Sequence, residues 1–468
     1  MSIRKLIKNL RNWCPQPSTT LPSKLKRYSM PIAAVITATL IFSVSFSVFS
    51  SSLMSHPSAP IVPLVNSGNS GSASNDWPMF HADSSHSGVA TSNPVLTPTL
   101  IWKYTAGNSI ASSPAVSNGV VYICSDDKNL YALNATSGDK LWNFSIVGIF
   151  PGGSIPPTVA SSPAVANGVV YIGSLDYNVY AVNATNGEKL WNYTTGDLVI
   201  SSPTVVNGVV YIGSQDSNVY ALNATNGDKL WNYTTPYVGS SPAVVNNVVY
   251  VGSWFGDVYA LNAASGAKIW NYTTGGSGTE LVSSPAVVDG VVYVGGGGNT
   301  IFALNADNGA QLWNYSTGGY VESSPAISNG VVYIGSHDGN VYALDATSGD
   351  KLWNNTLGGS IMSSPAINDG TVYIGGENAV YALSVTNGTK LWSYSTGNYV
   401  GSSPAIVNSV LYIAGGNNTY ALGGSAPASS NNKLFVIPIV VVIVIVVAIA
   451  IIIFKKRMNS GVVMNEFA

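Results

Sequence analysis

The tripeptide Ser-Ser-Pro occurs eight times, with its prolines at Pro114, Pro163, Pro203, Pro242, Pro285, Pro325, Pro365 and Pro404, and each copy opens a unit of roughly forty residues. Repetition at that period means one supersecondary unit copied along the chain, each copy needing its neighbours to bury its apolar surface. The cleanest unit runs from Ser201 to Tyr233. It holds four short stretches rich in Val, Ile and Tyr, separated by turn residues, a pattern that predicts a four-stranded antiparallel sheet rather than helices. First and second strands meet at Asn118-Gly119, Asn167-Gly168, Asn207-Gly208 or Asn329-Gly330, or at Asp289-Gly290 and Asp369-Gly370. Such pairs favour a two-residue turn in which both central residues take positive φ. Second and third strands turn at Asp-x-Asn, as in Asp176 to Asn178 and Asp216 to Asn218.

The fourth strand carries a tryptophan at Trp142, Trp191, Trp231, Trp270, Trp313, Trp353 and Trp392, each ten residues after the Ala of the third strand and four after a Gly. That spacing is expected if each indole docks on the neighbouring sheet, burying about 150 to 250 Å², roughly 4 to 6 kcal/mol gross. An eighth, Trp102, stands in a strand with no first three strands before it, while the last Ser-Ser-Pro unit stops at Leu422 without a tryptophan. The two fragments complete each other. The expected fold is all-β, an eight-bladed β-propeller whose last blade joins three C-terminal strands to one N-terminal strand, removing the open edges that the rival reading, an open solenoid, would leave.

Outside the ring, residues 1–30 hold seven basic side chains and no acid, and an apolar, Ser-rich run follows at 31–54. Residues 434–454 are apolar throughout and are followed by Lys455-Lys-Arg457. About 20 apolar residues cross a bilayer as a helix, and basic flanks stay on the cytoplasmic side. The expected layout is a basic leader (1–30), a transmembrane signal anchor or cleaved signal peptide (31–54), a linker (55–76), the propeller (77–422), a second linker (423–433), a transmembrane helix (434–454) and a tail (455–468). Both ends are then cytoplasmic and the ring extracellular. Two cysteines, Cys14 and Cys124, leave no disulfide framework, and Cys124 reads as a small buried filler.

Residues 55–432 carry 20 acidic against 8 basic side chains, a formal charge of −12 that repels phosphate backbones and argues against nucleic acid. Eleven Asn-x-Ser/Thr acceptor patterns begin at Asn134, Asn143, Asn183, Asn192, Asn223, Asn232, Asn271, Asn314, Asn354, Asn387 and Asn417. On an exported chain they are possible glycan sites; alternatively the repeat has multiplied turn and strand residues.

The unit Ser-Ser-Pro-Ala-Val-x-Asn-Gly-Val-Val-Tyr-Ile-Gly-Ser-x-Asp-x-Asn-Val-Tyr-Ala-Leu-Asn-Ala-x-x-Gly-x-x-x-Trp resembles the repeat of the pyrroloquinoline-quinone-like β-propeller superfamily, over residues 77–422. The lead-in from Asp76 to Gly88 is similar to the segment before the first blade in such proteins. The resemblance implies the fold and leaves the chemistry open, because the superfamily holds quinoprotein dehydrogenases, an outer-membrane assembly scaffold and cofactor-free surface proteins. The dehydrogenases carry adjacent cysteines and calcium ligands on long inserts. This chain has no Cys-Cys pair and no comparable insert, its longest extra stretch being Ile146 to Val159. Neither the quinone nor calcium is therefore expected as a cofactor.

Strand alternation separates the two faces of the disc. Loops from fourth to first strand and turns from second to third share a first face; the Asn-Gly turns and the loops from third to fourth strand share a second face. Both tethers leave from the second face, so the first is presented outward and is the expected binding surface. Its turns offer Asp127, Asp176, Asp216, Asp257 and Asp338, with Asp197, Glu280 and Glu322 in neighbouring loops. These acids read as turn formers or as a cation-attracting rim. Trp254 and Phe255 stand where other units have polar residues, and exposed aromatics of this kind contact sugars or protein partners. His81, Asp83 and His86 fit no zinc spacing and read as lead-in residues. The resulting expectation is a non-catalytic, membrane-anchored scaffold or binding module for a surface protein or glycan, against two alternatives: a reduced quinone-dependent dehydrogenase and a purely architectural surface-layer protein.

Overall fold

The computed structural model describes residues 76–146, 161–275, 283–296 and 298–423. Within them thirty-two strands form eight separate four-stranded antiparallel sheets. Blade 1 consists of Ala115–Ser117, Val120–Ser125, Asn129–Asn134 and Lys140–Ser145. Blades 2 to 7 repeat this order, with first strands starting at Ala164, Thr204, Ala243, Ala286, Ala326 and Ala366. Blade 8 takes Ala405–Val407, Val410–Gly415 and Asn418–Gly423 from one end of the repeat array and Leu100–Thr105 from the other. The borrowed strand pairs antiparallel with its partner from Leu100↔Leu422 to Thr105↔Asn418. Closure is therefore by a composite eighth blade.

The two-residue turns explain themselves through φ: Asn118 and Gly119 sit at +51° and +76°. Two blades make the same turn without glycine, at Asn246-Asn247 and Asn408-Ser409, where the second residue takes +63°. Second and third strands are buried along most of their length, while the fourth alternates exposed and covered residues on the circumference. Each fourth strand also bulges one residue before its tryptophan. In blade 3 Ala221 faces Trp231 and Leu222 faces Lys229, so Leu230 is pushed out of register. Such bulges blunt an outer edge against pairing with another chain.

Ser-Ser-Pro, read in sequence only as a period marker, is the fastener of the ring. The first serine ties its own blade together: Ser201 Oγ accepts the Gly213 N–H at 3.1 Å, and Ser112 Oγ accepts the Cys124 N–H at 2.8 Å. The second serine reaches the next blade. Ser113 N–H donates to Ser162 Oγ, Ser162 to Ser202, Ser202 to Ser241, Ser241 to Ser284, Ser284 to Ser324, Ser324 to Ser364, Ser364 to Ser403, and Ser403 back to Ser113, at 2.9 to 3.0 Å. The proline that follows has no N–H to leave unpaired at the start of a strand that edges the channel.

Between blades the indoles dock through a carbonyl. Trp102, Trp142, Trp191, Trp231, Trp270 and Trp313 each donate Nε1–H to the alanine carbonyl in the third-to-fourth loop of the following blade, at Ala135, Ala184, Ala224, Ala263, Ala306 and Ala346; Trp353 uses the Val385 carbonyl. A second-strand tyrosine of the same blade as the tryptophan often joins at that oxygen, as Tyr211 does at Ala263. The glycine of the receiving loop has no room for a side chain: Gly266 lies at φ +71°, and an added Cβ would stand 2.7 Å from the Trp231 ring. Six of the eight indoles are buried, and Trp142 and Trp392 are half-buried.

The innermost strands leave N–H groups aimed at the axis, and buried donors of this kind need acceptors. The lead-in supplies them by circling inside the channel. The carbonyls of Trp77, Pro78, Ser84, Ser85, Ser87 and Gly88 accept N–H groups from Val116, Val165, Val244, Val287, Ile327 and Ile367, in blades 1, 2, 4, 5, 6 and 7. In blade 3 a threonine stands where the other first strands begin with alanine. Thr204 Oγ1 donates to the Pro242 carbonyl at 2.6 Å and lies 3.4 Å from His86 Nε2. Among the described residues no helix is long and apolar enough to cross a membrane; segments 31–54 and 434–454 lie outside the described residues.

Candidate functional site

The plug bears on where a site can lie. His81 and His86 are both fully buried in it, and burial, reinforced for His81 by the neighbouring His86, lowers their pKa values to about 3 and about 4. Both rings are therefore neutral at physiological pH. His86 Nδ1 lies 3.0 Å from the Pro285 carbonyl, and Asp83 accepts hydrogen bonds from Ser85 and Ser87. These residues build the plug and form no metal cluster; no group of three or more His, Cys, Asp or Glu able to hold a metal occurs among the described residues. Cys124 is buried and free, its thiol pushed well up by burial.

On the first face the turn carboxylates are already engaged. Asp127 accepts the Gly107 and Asn129 N–H groups and the Tyr131 hydroxyl, and Asp338 accepts Gly318, Asn340 and Tyr342 in the same way. Burial alone would raise these two carboxyls, but the hydrogen bonds outweigh it and hold both below the usual range. Asp216 repeats the arrangement with Gly196, Asn218 and Tyr220; Asp176 keeps the Asn178 and Tyr180 bonds, and Asp257 binds Tyr259 and Thr273. The acids are fixed parts of turns. Glu280 lies outside the described residues.

Trp254 and Phe255 part company in the structure. Trp254 lies half-buried with its ring over Gly239, which Ile200 also flanks, and its backbone N–H donates to the Tyr237 carbonyl at 2.7 Å. Phe255 projects outward, 50% exposed, and meets the ring of Tyr237 edge-on at 6.0 Å, Tyr237 itself being 44% exposed. A bridge between Val238 and Ser253 holds the two loops together beneath them. Further round the same face Tyr320, Met362 and Tyr399 are also exposed. Glu322 pairs with His337 at 3.2 Å, and the His337 ring stands perpendicular to Tyr320. Sequence reasoning missed Tyr237, Tyr320, Met362 and Tyr399. The available signal was their common position in loops from fourth to first strand.

Nine of the eleven acceptor asparagines fall into two groups. Asn134, Asn183 and Asn223 turn their Oδ1 atoms onto loop N–H groups. Asn143, Asn192, Asn232, Asn271, Asn314 and Asn354 stand exposed on fourth strands. In four of them the carboxamide and the hydroxyl two residues on both donate to one third-strand asparagine, as Asn192 and Thr194 do to Asn178 Oδ1 at 3.0 and 2.7 Å. This cross-strand clamp gives the pattern a structural reason to recur. Asn387 caps its own loop, and Asn417 reaches the Ala106 carbonyl.

A quinone bearing three carboxylates needs cations at its seat, and a calcium partner needs clustered acids. The chain has no arginine between residues 28 and 456, and six of the eight ring lysines, Lys140, Lys189, Lys229, Lys268, Lys351 and Lys390, begin fourth strands on the circumference. The residues at the axis do not fit that cofactor.

A closed, plugged, eight-bladed β-propeller with its aromatic loops on one face is the class this structure defines. The chain belongs to the pyrroloquinoline-quinone-like repeat family described as outer membrane protein assembly factor BamB, which matches residues 95–148, 152–281, 235–325 and 318–432. Among solved structures it is similar to BamB from Moraxella catarrhalis, at 17% identity and TM-score 0.61, covering 70% of this chain and 100% of that one. It is also similar to a europium-containing methanol dehydrogenase, at 13% identity and TM-score 0.67, over 75% and 98% of the two chains. A quinohemoprotein alcohol dehydrogenase from Comamonas testosteroni shares 15% identity at TM-score 0.63, over 75% and 81%. At these identities the likeness is one of fold. Comparison with curated protein sequences gives no match.

Proposed function

We propose that the ring is a non-catalytic binding module, held at the cell surface by the apolar segments 31–54 and 434–454 with both chain ends inside, and that it captures a protein partner on its first face. The observation that carries this reading is the Tyr237–Phe255 pair, braced from below by Trp254: two large rings exposed side by side on loops that rigid strands position. Aromatic anchors of this kind dominate protein interfaces, and the neighbouring carboxylates are committed to their turns. A glycan partner uses the same rings by stacking. The family description as an assembly factor supports a protein ligand over a small substrate.

The test is capture of partners from the native cell surface by the purified ring, compared with the Tyr237→Ala/Phe255→Ala variant. Loss of the captured species in the variant, at unchanged thermal midpoint, supports the reading. Undiminished capture, or saturable quinone and calcium binding with dye-linked turnover, overturns it.

A further inference from the structure

Seven blades present a polar outer corner on the second face, where the loop from third to fourth strand enters the fourth strand. Blades 1, 2, 3 and 6 carry an acid and a lysine there, at Asp139-Lys140, Glu188-Lys189, Asp228-Lys229 and Asp350-Lys351. Blades 4 and 7 carry Lys268 and Lys390, and blade 5 carries Gln311. The corner of blade 8 comes instead from the lead-in, Val95-Leu-Thr-Pro-Thr-Leu-Ile101, which holds no charge and no acceptor pattern. Leu96, Leu100 and Ile101 are 58%, 42% and 47% exposed. Elsewhere the bulged aliphatic residue, such as Leu141 or Leu230, is a lone exposed side chain beside a lysine or, in blade 5, a glutamine, which is ordinary. In blade 8 it is continuous with two more.

The same corner is where the chain leaves the ring. Gly423 donates its N–H to the Thr99 carbonyl at 2.9 Å, and it abuts Ile101 so closely that an added Cβ would stand 2.6 Å from Ile101 Cδ1. Ten residues, 424–433, separate it from the apolar run 434–454, a reach of roughly 33 Å at about 3.3 Å per residue. Lys103, exposed on the same strand two residues beyond Ile101, occupies the place held by an acceptor asparagine in blades 1 to 6. An apolar tip with a cation one step above it matches the layering of a bilayer interface, acyl boundary below and phosphate above.

We propose that this corner of blade 8, formed by Leu96, Leu100 and Ile101, rests in the interfacial layer of the lipid bilayer, so that the ring leans on the membrane at its composite blade. The inference rests on the reading of residues 434–454 as a membrane anchor. The other corners are poorly suited: each polar loop would lose hydration on entering the interface, and four carry acids that anionic headgroups repel.

The experiment uses the full chain with Cys14→Ser, reconstituted into phosphatidylcholine–phosphatidylglycerol vesicles. An environment-sensitive fluorophore is attached at Leu100→Cys, at Leu96→Cys or, as the opposite-edge control in blade 4, at Ile269→Cys, and is quenched by nitroxide lipids. Quenching about three-fold stronger at positions 96 and 100 than at 269, independent of the protein-to-lipid ratio, is the expected result. Equal quenching at all three positions in chains that float with the vesicles overturns the leaning corner and leaves the anchor intact. Quenching that changes with protein-to-lipid ratio assigns the patch to a second copy of the chain and also overturns it. Chains that do not float with vesicles overturn the anchor reading and this inference together.

Discussion

Blades 1 to 7 are each one continuous stretch of chain, whereas blade 8 is assembled from two stretches some three hundred residues apart, and the two kinds of blade receive their neighbour's tryptophan differently. In a continuous blade the indole lands on a local loop carbonyl over a glycine, as Trp231 does on Ala263 and Gly266. Blade 8 has no such loop. Val95 of the lead-in stands in for it, accepting Trp392 Nε1–H at 3.1 Å and exchanging hydrogen bonds with Tyr373 through its carbonyl and its N–H. The joint thus needs a carbonyl at the right place and is indifferent to which part of the chain provides it. A local loop supplies that carbonyl for little loop-closure entropy, while the composite joint brings together residues 297 apart in sequence.

That contrast can be broken most severely by removing residues 76–105. The expected outcome is loss of the plug, of the fourth strand of blade 8 and of the seat for Trp392, seen as loss of cooperative unfolding and an enlarged hydrodynamic radius. Retention of a compact, cooperative ring would show that seven blades close by themselves. Next in size is Trp231→Ala, expected to lower stability by about 3 to 5 kcal/mol in denaturant titration. Trp392→Ala, removing a half-buried indole at the composite joint, should cost less, about 2 kcal/mol, and equal losses would erase the distinction between the joints.

Acid sharpens the comparison from the side of the lead-in. His81 and His86 have folded-state pKa values near 3 and 4, below the unfolded value of 6.5, so the unfolded chain binds their protons first. Their contribution is intact above pH 6.5 and is lost as pH falls toward those folded values, at about 1.4 kcal/mol per pH unit for each histidine. That loss falls on the plug, so amide exchange should rise first at Val244, Val287 and Ile327, whose N–H groups the plug accepts. Exchange that rises equally in all strands would sink the idea of a separately opening plug. The smallest effect belongs to Ser241→Ala, which removes the acceptor for the Ser202 N–H and should cost about 1 kcal/mol by thermal midpoint.

The fold was legible because its determinants repeat: eight tripeptides, the turn pairs and the tryptophan spacing each state the same period. The borrowed strand was legible from arithmetic, since Trp102 lacks a blade and the last unit lacks a tryptophan. The plug was not. His81, Asp83 and His86 show no periodicity, and nothing local says that backbone carbonyls between Trp77 and Gly88 serve the inner strands of six blades. The candidate site was half legible. Trp254 and Phe255 break the repeat and so announce themselves, but their different fates depend on Gly239, a neighbour in another loop that sequence spacing does not reveal. Tyr237, at φ +26°, joins them through a backbone geometry that an L-residue rarely adopts and no local pattern signals.

The serine circle carries a consequence for how such a molecule changes over evolutionary time. Every blade gives one hydrogen bond to the next blade and takes one from the blade before it, so a duplicated blade spliced anywhere in the series would meet a ready partner at both of its seams. The serine seam alone therefore does not fix the copy number. The lead-in adds a constraint the seam lacks, because one short stretch of backbone, Trp77 to Gly88, serves the first strands of six blades, and an inserted blade would enlarge the circle that the same stretch has to reach.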